Sequence, residues 1–383
     1  GLSTGFLAIG ATVAQVSSSA HTYAYLGAGA ITAASNTGVL QITATGTDTN
    51  VASALVGAGG TYAGAAAVAT TATTAVTDAM LYGEATDNTL YFGGLNIKAK
   101  HTTSYAGSGD AYQASTAGAS GGSAQNDVTS ATTAEIGTHL IVNSVGGDMV
   151  VIANDVVNQA GGGARSGSGG VFAGAAALSK SRVTQTVTTN IDAGTILSLN
   201  ADPRTTTGAI NIEAYNTLST TDTVNLSAAG LFAGGGAESD MTANATLTVN
   251  IQARELFSAG NIYVGSASRM AANNYANASL YGAVGGVGAS TNAWVHATQN
   301  VNVGSSSTVE AWGKINIAAG LAGDGSVYSS VAANATTVVY NNTVVAISGL
   351  YRGTANADDD TSLTLAIGSK VLGANDISLT ATP

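Results

Sequence analysis

The chain has 383 residues, with 11 Lys+Arg against 22 Asp+Glu for a net charge of −11, and no cysteine. No basic run stands out, which argues against nucleic acid and against an anionic membrane surface, since both demand clustered cations. Without cysteine there are no disulfides, thiolate metal sites or catalytic thiols. A composition of 45% hydrophobic and 9% charged residues is also not that of a disordered chain.

Residues 1–47 contain no Asp, Glu, Lys or Arg. They are rich in Ser, Thr, Gln, Asn and His, so they fail as a transmembrane segment. Gly1 follows no Met and no basic-then-apolar leader, and the chain reads as a mature product or a piece excised from something longer.

The first well-defined word spans residues 38–44, where Leu40 and Ile42 alternate with polar neighbours. Its form is Gly, any residue, aliphatic, polar, aliphatic, polar, Ala, the period-two pattern of a half-buried β-strand. The word recurs at 93–99 (Leu95, Ile97), 147–153 (Met149, Val151), 208–214 (Ile210, Ile212) and 260–266 (Ile262, Val264). It closes at 313–319 (Ile315, Ile317) and 375–381 (Ile377, Leu379). Successive first aliphatics lie 55, 54, 61, 52, 53 and 62 residues apart. Seven copies of a unit of about 56 residues make this a repeat protein, expected to form one elongated body over 1–383.

Four parts are predicted in each unit. A glycine-rich strand (5–11, 57–67, 170–174, 230–237, 282–289) leads to a strand of small alternating residues (182–191, 241–251, 294–303, 361–367). The aliphatic word follows, and a small-residue strand (214–228, 266–281) returns to the next glycine-rich segment. Turn residues are placed at Ser35-Asn36-Thr37-Gly38, Asp87-Asn88, Gly107-Ser108-Gly109-Asp110 and Gly323-Asp324-Gly325. The runs 118–122 and 161–170 read as loops, and Pro203 sits in a longer loop over 201–208. No amphipathic helical period is found.

The fold class expected is all-β, a right-handed parallel β-solenoid (β-helix). Two coils of about 28 residues per repeat give a conventional cross-section, so two coils per repeat are predicted. An outer-membrane β-barrel is the rival architecture, but the 5 Phe, 14 Tyr and 2 Trp show no girdle spacing.

Glycine-rich, aliphatic Gly-Ala segments, a small alternating strand ending in Ile-Gly, and the word Gly-x-aliphatic-x-aliphatic-x-Ala occur together over nearly the whole chain. In this the sequence resembles the repeats of large secreted bacterial filamentous adhesins, the filamentous-haemagglutinin-like and leukotoxin-type exoproteins. The resemblance is periodic and compositional. It implies secretion to the bacterial cell surface, a role as stalk, adhesin or fibre, and a cell-surface or glycan receptor as partner. Because residues 1–2 and 377–379 read as mid-pattern strand, the ends are expected to be continued by more chain or by another copy docked head to tail.

Signs of chemistry are few. His21, His101, His139 and His296 stand alone without metal-ligand spacing and read as solvated or edge-strand residues. Ser120 lies in a Gly-x-Ser-x-Gly string with no helix behind it, so it is not a nucleophile elbow. Glu238 and Asp240 are the nearest carboxylate pair for a polysaccharide lyase or glycosidase, the enzyme alternative, but no aromatic accompanies them in sequence. No catalytic residue and no organic cofactor is assigned. The acidic run Asp358-Asp359-Asp360 is the single metal candidate, for Ca²⁺. Thr-rich stretches such as 70–74 read as ordinary β-surface.

Overall fold

The computed structural model describes residues 2–27, 29, 38–200 and 208–383. The predicted turn at Ser35-Asn36-Thr37 and the Pro203 loop lie outside these residues. Among the described residues the chain is all-β, with seventeen strands and no α-helix.

The seven aliphatic words stack directly on one another. Leu40, Leu95, Met149, Ile210, Ile262, Ile315 and Ile377 are successive Cα partners in parallel ladders. Every ladder between strands is parallel, and these ladders join one 11-stranded sheet and a second 6-stranded one. Transmembrane barrels are built of antiparallel neighbours, so the rival architecture does not have this geometry.

Four of the words run without interruption into strands of exceptional length, Val39–Tyr82, Gly94–Ile136, Ala209–Ile251 and Asn261–Val303. The glycine-rich segment near its middle is a corner and not a separate strand. There the ladder drops a pair, passing from Gly5↔Gly60 to Leu7↔Tyr62 and from Gly282↔Gly230 to Val284↔Phe232. Beyond the corner the chain doubles back. Asn50 Nδ2 donates to Thr73 Oγ1 at 2.5 Å, and Asn274 Nδ2 donates to the Asn292 carbonyl oxygen at 2.5 Å. Each pass therefore has an outgoing limb, a corner and a return limb.

A short strand closes each pass: Asn88–Phe92, Leu140–Val145, Ile196–Asn200, Glu255–Ser258, Thr308–Ala311 and Lys370–Gly373. These six form the second sheet. The sequence reading missed them, although an aliphatic residue such as Leu90, Val142 or Leu256 precedes most words at short range.

The interior divides into two zones. Where words, return-limb ends and short strands meet, a broad base buries large side chains including Leu81, Leu90, Ile97, Met149 and Ile212. Each such residue contributes roughly 1.5–3 kcal/mol by leaving water. Towards the corner the limbs close into a thin flange filled by alanine. There Ala52, Ala54 and Val56 are packed with Ala65, Ala67 and Ala69. A Cβ on Gly122 would strike the main-chain oxygens of Gly109 and Arg165, so the limbs meet here almost backbone to backbone.

This closeness corrects two expectations. Hydrogen-bonded partners are a full word spacing apart, so one pass and not two coils makes each repeat. A ring of about 56 residues avoids being hollow because its flange is only an Ala/Gly layer thick. Residues 107–110, 118–122 and 163–170, predicted as turn or loop, also lie inside strands. Seven words at about 4.8 Å give a stack some 34 Å tall, while a limb of about 20 residues reaches some 66 Å, so the body is wider than it is long.

Candidate functional site

The last return limb, Tyr351–Leu365, carries the acidic run and pairs with the limb beneath it so that His296 lies beside Asp358. Strand alternation splits the run: residues 358 and 360 face outward, whereas 359 faces the flange interior. His296 Nδ1 is 3.4 Å from Asp358 Oδ2, and Nε2 is 3.9 Å from Asp360 Oδ2. One donor atom from each of His296, Asp358 and Asp360 falls within 4.8 Å of the others. Asp359 instead accepts a hydrogen bond from Gln299 Nε2 at 2.6 Å. Its burial, reinforced by the two neighbouring aspartates, raises its pKa against that hydrogen bond.

The three consecutive aspartates thus do not form one ligand set, and His296 replaces Asp359 in the cluster. An imidazole nitrogen with two carboxylates suits a Zn²⁺- or Mn²⁺-type ion better than Ca²⁺, which takes oxygen ligands. Without an ion these are contacts between an imidazole and two exposed carboxylates, worth little to stability.

Other residues singled out from the sequence occupy defined places. Glu238 and Asp240 line a cavity of about 350 Å³ with Arg352 and Thr354, and no aromatic side chain lines it. Asp240 Oδ1 accepts from Asn292 Nδ2 at 2.9 Å. Ser120 is buried in mid-strand, 2.7 Å from Ser166 Oγ and donating to the Gly167 carbonyl at 2.9 Å, a packing role.

The histidines depart most from expectation. His101 is fully buried, with Nε2 3.1 Å from Asp48 Oδ2 and Nδ1 2.9 Å from Thr77 Oγ1. Burial lowers its pKa, partly offset by the Asp48 charge. His139 lies 3.2 Å from Asp87. Three of the four histidines therefore contact an aspartate roughly one repeat away in sequence. The signal that would have found these pairs is the repeat length itself, because residues one spacing apart become neighbours.

His101 also opens a buried polar column between base and flange, continued on successive passes by Asp155, Asn216 and Ser268. Asp155 accepts from Ser130 Oγ at 2.9 Å, and burial pushes its pKa up to about 7. Nearby, Asp222 accepts from Gln159, and its pKa is raised by burial. Burial and then the Asp222 charge likewise raise the Tyr105 phenol. This column is buried between the limbs, so it offers no substrate access.

No known family, curated protein or solved structure matches this chain.

Proposed function

We propose that the chain is a secreted, right-handed parallel β-solenoid with one turn per repeat, serving as a structural or adhesive element at the bacterial cell surface. The observation that carries this reading is the unbroken register of seven aliphatic words, each hydrogen-bonded to the next. Such a column makes a stiff body whose outward positions are free to vary. Side-chain ladders add to the stiffness: Asn302 donates to Asn250 and Asn250 to Asn190, each at 3.0 Å.

The two end passes support end-to-end association. Leu2 and Phe6 at one end are 82% and 73% exposed, and Val344 and Ile367 at the other are 87% and 98% exposed. These apolar groups and free strand edges are what a further pass of the same kind covers. Association of one copy upon another extends the stack into a filament.

Electron microscopy and sedimentation velocity over a hundredfold concentration range test this. Filaments lengthening with concentration, with an axial repeat of about 4.8 Å in fibre diffraction, are the expected result. A chain that stays monomeric at the highest concentration sinks the end-to-end reading.

A further inference from the structure

We propose that two copies also pair side by side, through the outer face of the return limb beside the corner. This face carries a trough of about 530 Å³ that crosses successive passes from Val68 to Ala289. Gly121 and Gly236 lie on its floor, and Gly64 and Gly174 lie in the adjoining column of the ladder. The next outward column beyond Gly64 and Gly174 is an aromatic rim: Tyr62, Phe172 and Phe232 are 49%, 51% and 44% exposed. The two phenylalanines stack with centroids 5.1 Å apart.

These four glycines are not required by packing within the chain. A Cβ built on Gly64, Gly121 or Gly236 meets nothing within 4 Å, and on Gly174 it makes ordinary contacts with the Ala119 Cβ at 3.6 Å and the Gly118 oxygen at 3.8 Å. None of the four has a positive φ. The fold would tolerate side chains there, so the smallness keeps room for something approaching from outside.

The shape of the face identifies that occupant as a second copy. The trough and the aromatic rim run side by side along the stack. A two-fold axis parallel to the stacking direction, passing near Gly174, places the rim of each copy in the trough of the other. It also sets each pass opposite the same pass of the partner, so Tyr62, Phe172 and Phe232 each meet the pass they come from. An isologous contact of this kind closes on itself. Charge permits it: the molecule carries −11, yet Glu238 is the one charged residue lining the trough. Five passes at about 4.8 Å, by three outward columns at about 6.7 Å, give roughly 500 Å² per copy. The total of about 1,000 Å² reaches the lower bound of specific interfaces.

The test uses the absence of native cysteine. Gly174→Cys places a lone thiol on the two-fold axis. Gly169→Cys places one on the outer face of the outgoing limb, where a Cβ also meets nothing within 4 Å. Both are made with Leu379→Lys in the last word, which suppresses end-to-end growth. Under mild oxidation the first is expected to form a disulfide-linked dimer at least tenfold faster than the second. Filling the trough with Gly121→Leu and Gly236→Leu should weaken the dimer at least tenfold in sedimentation equilibrium while the β circular-dichroism signal is kept. Equal cross-linking of the two cysteine variants, or dimerisation unaffected by the filled trough, overturns the proposal. So does a strictly monomeric chain that takes up an apolar dye in the trough.

Discussion

The base and the flange solve the same problem by opposite means. In the base, large aliphatic side chains such as Leu95, Ile136 and Ile210 are fully buried, and cohesion comes from apolar area removed from water. In the flange the buried residues are mostly alanine, which removes little area per residue. Cohesion there rests on ladders running above and below every strand and on limbs close enough to exclude water. The base should therefore be sensitive to lost volume and the flange to added volume.

The largest effect is expected from Gly122→Val. Its new atoms must displace the main chain of Gly109 and Arg165, and backbone cannot yield as a side chain can. Loss of cooperative unfolding across the neighbouring passes, seen as a broadened denaturant transition, is the outcome that supports the contrast. A variant as stable as the parent breaks it.

Next comes Ile212→Ala in the base, where the side chain is fully buried among the stacked words. It should cost about 4 kcal/mol in urea unfolding, from lost transfer energy plus a cavity. A cost below about 1 kcal/mol would mean the base collapses as readily as the flange.

The smallest effect probes the boundary. Burial pushes the Asp155 carboxyl up to about 7 in the folded chain, from an ordinary value of 3.8. A raised carboxyl pKa means the neutral form is favoured in the fold. Its stabilising contribution is therefore complete below pH 3.8 and lost as pH rises through about 7. Asp155→Asn should raise stability at pH 8 and flatten the slope between pH 4 and 7. Urea midpoints measured at several pH values decide it. An unchanged slope would show that Ser130, Gln185 and the neighbouring polar column already stabilise the anion.

This contrast also explains what the sequence did and did not reveal. The words were legible because Leu40, Ile97, Ile212 and their counterparts alternate cleanly, and burial on one face demands that alternation. The return limbs were legible for the same reason. The number of passes per repeat was not, because Gly- and Ala-rich segments look like turns and loops when read alone. At Gly109 and Gly122 glycine serves close approach of two limbs, a relation between residues more than ten positions apart. The short strands escaped notice because four to six residues such as Glu255–Ser258 carry too little pattern. At the acidic run, adjacency in sequence suggested three ligands, whereas alternation separates Asp359 from its neighbours and stacking supplies His296 from the pass below.

The doubled-back limb has a mechanical consequence. Since each pass is bonded only to those directly above and below it, tension on a chain end peels passes off one at a time. Every pass that lets go pays out about 56 residues, or some 185 Å of extended chain. A tether made this way yields in steps, lengthening several-fold under load while the passes still stacked keep their hold.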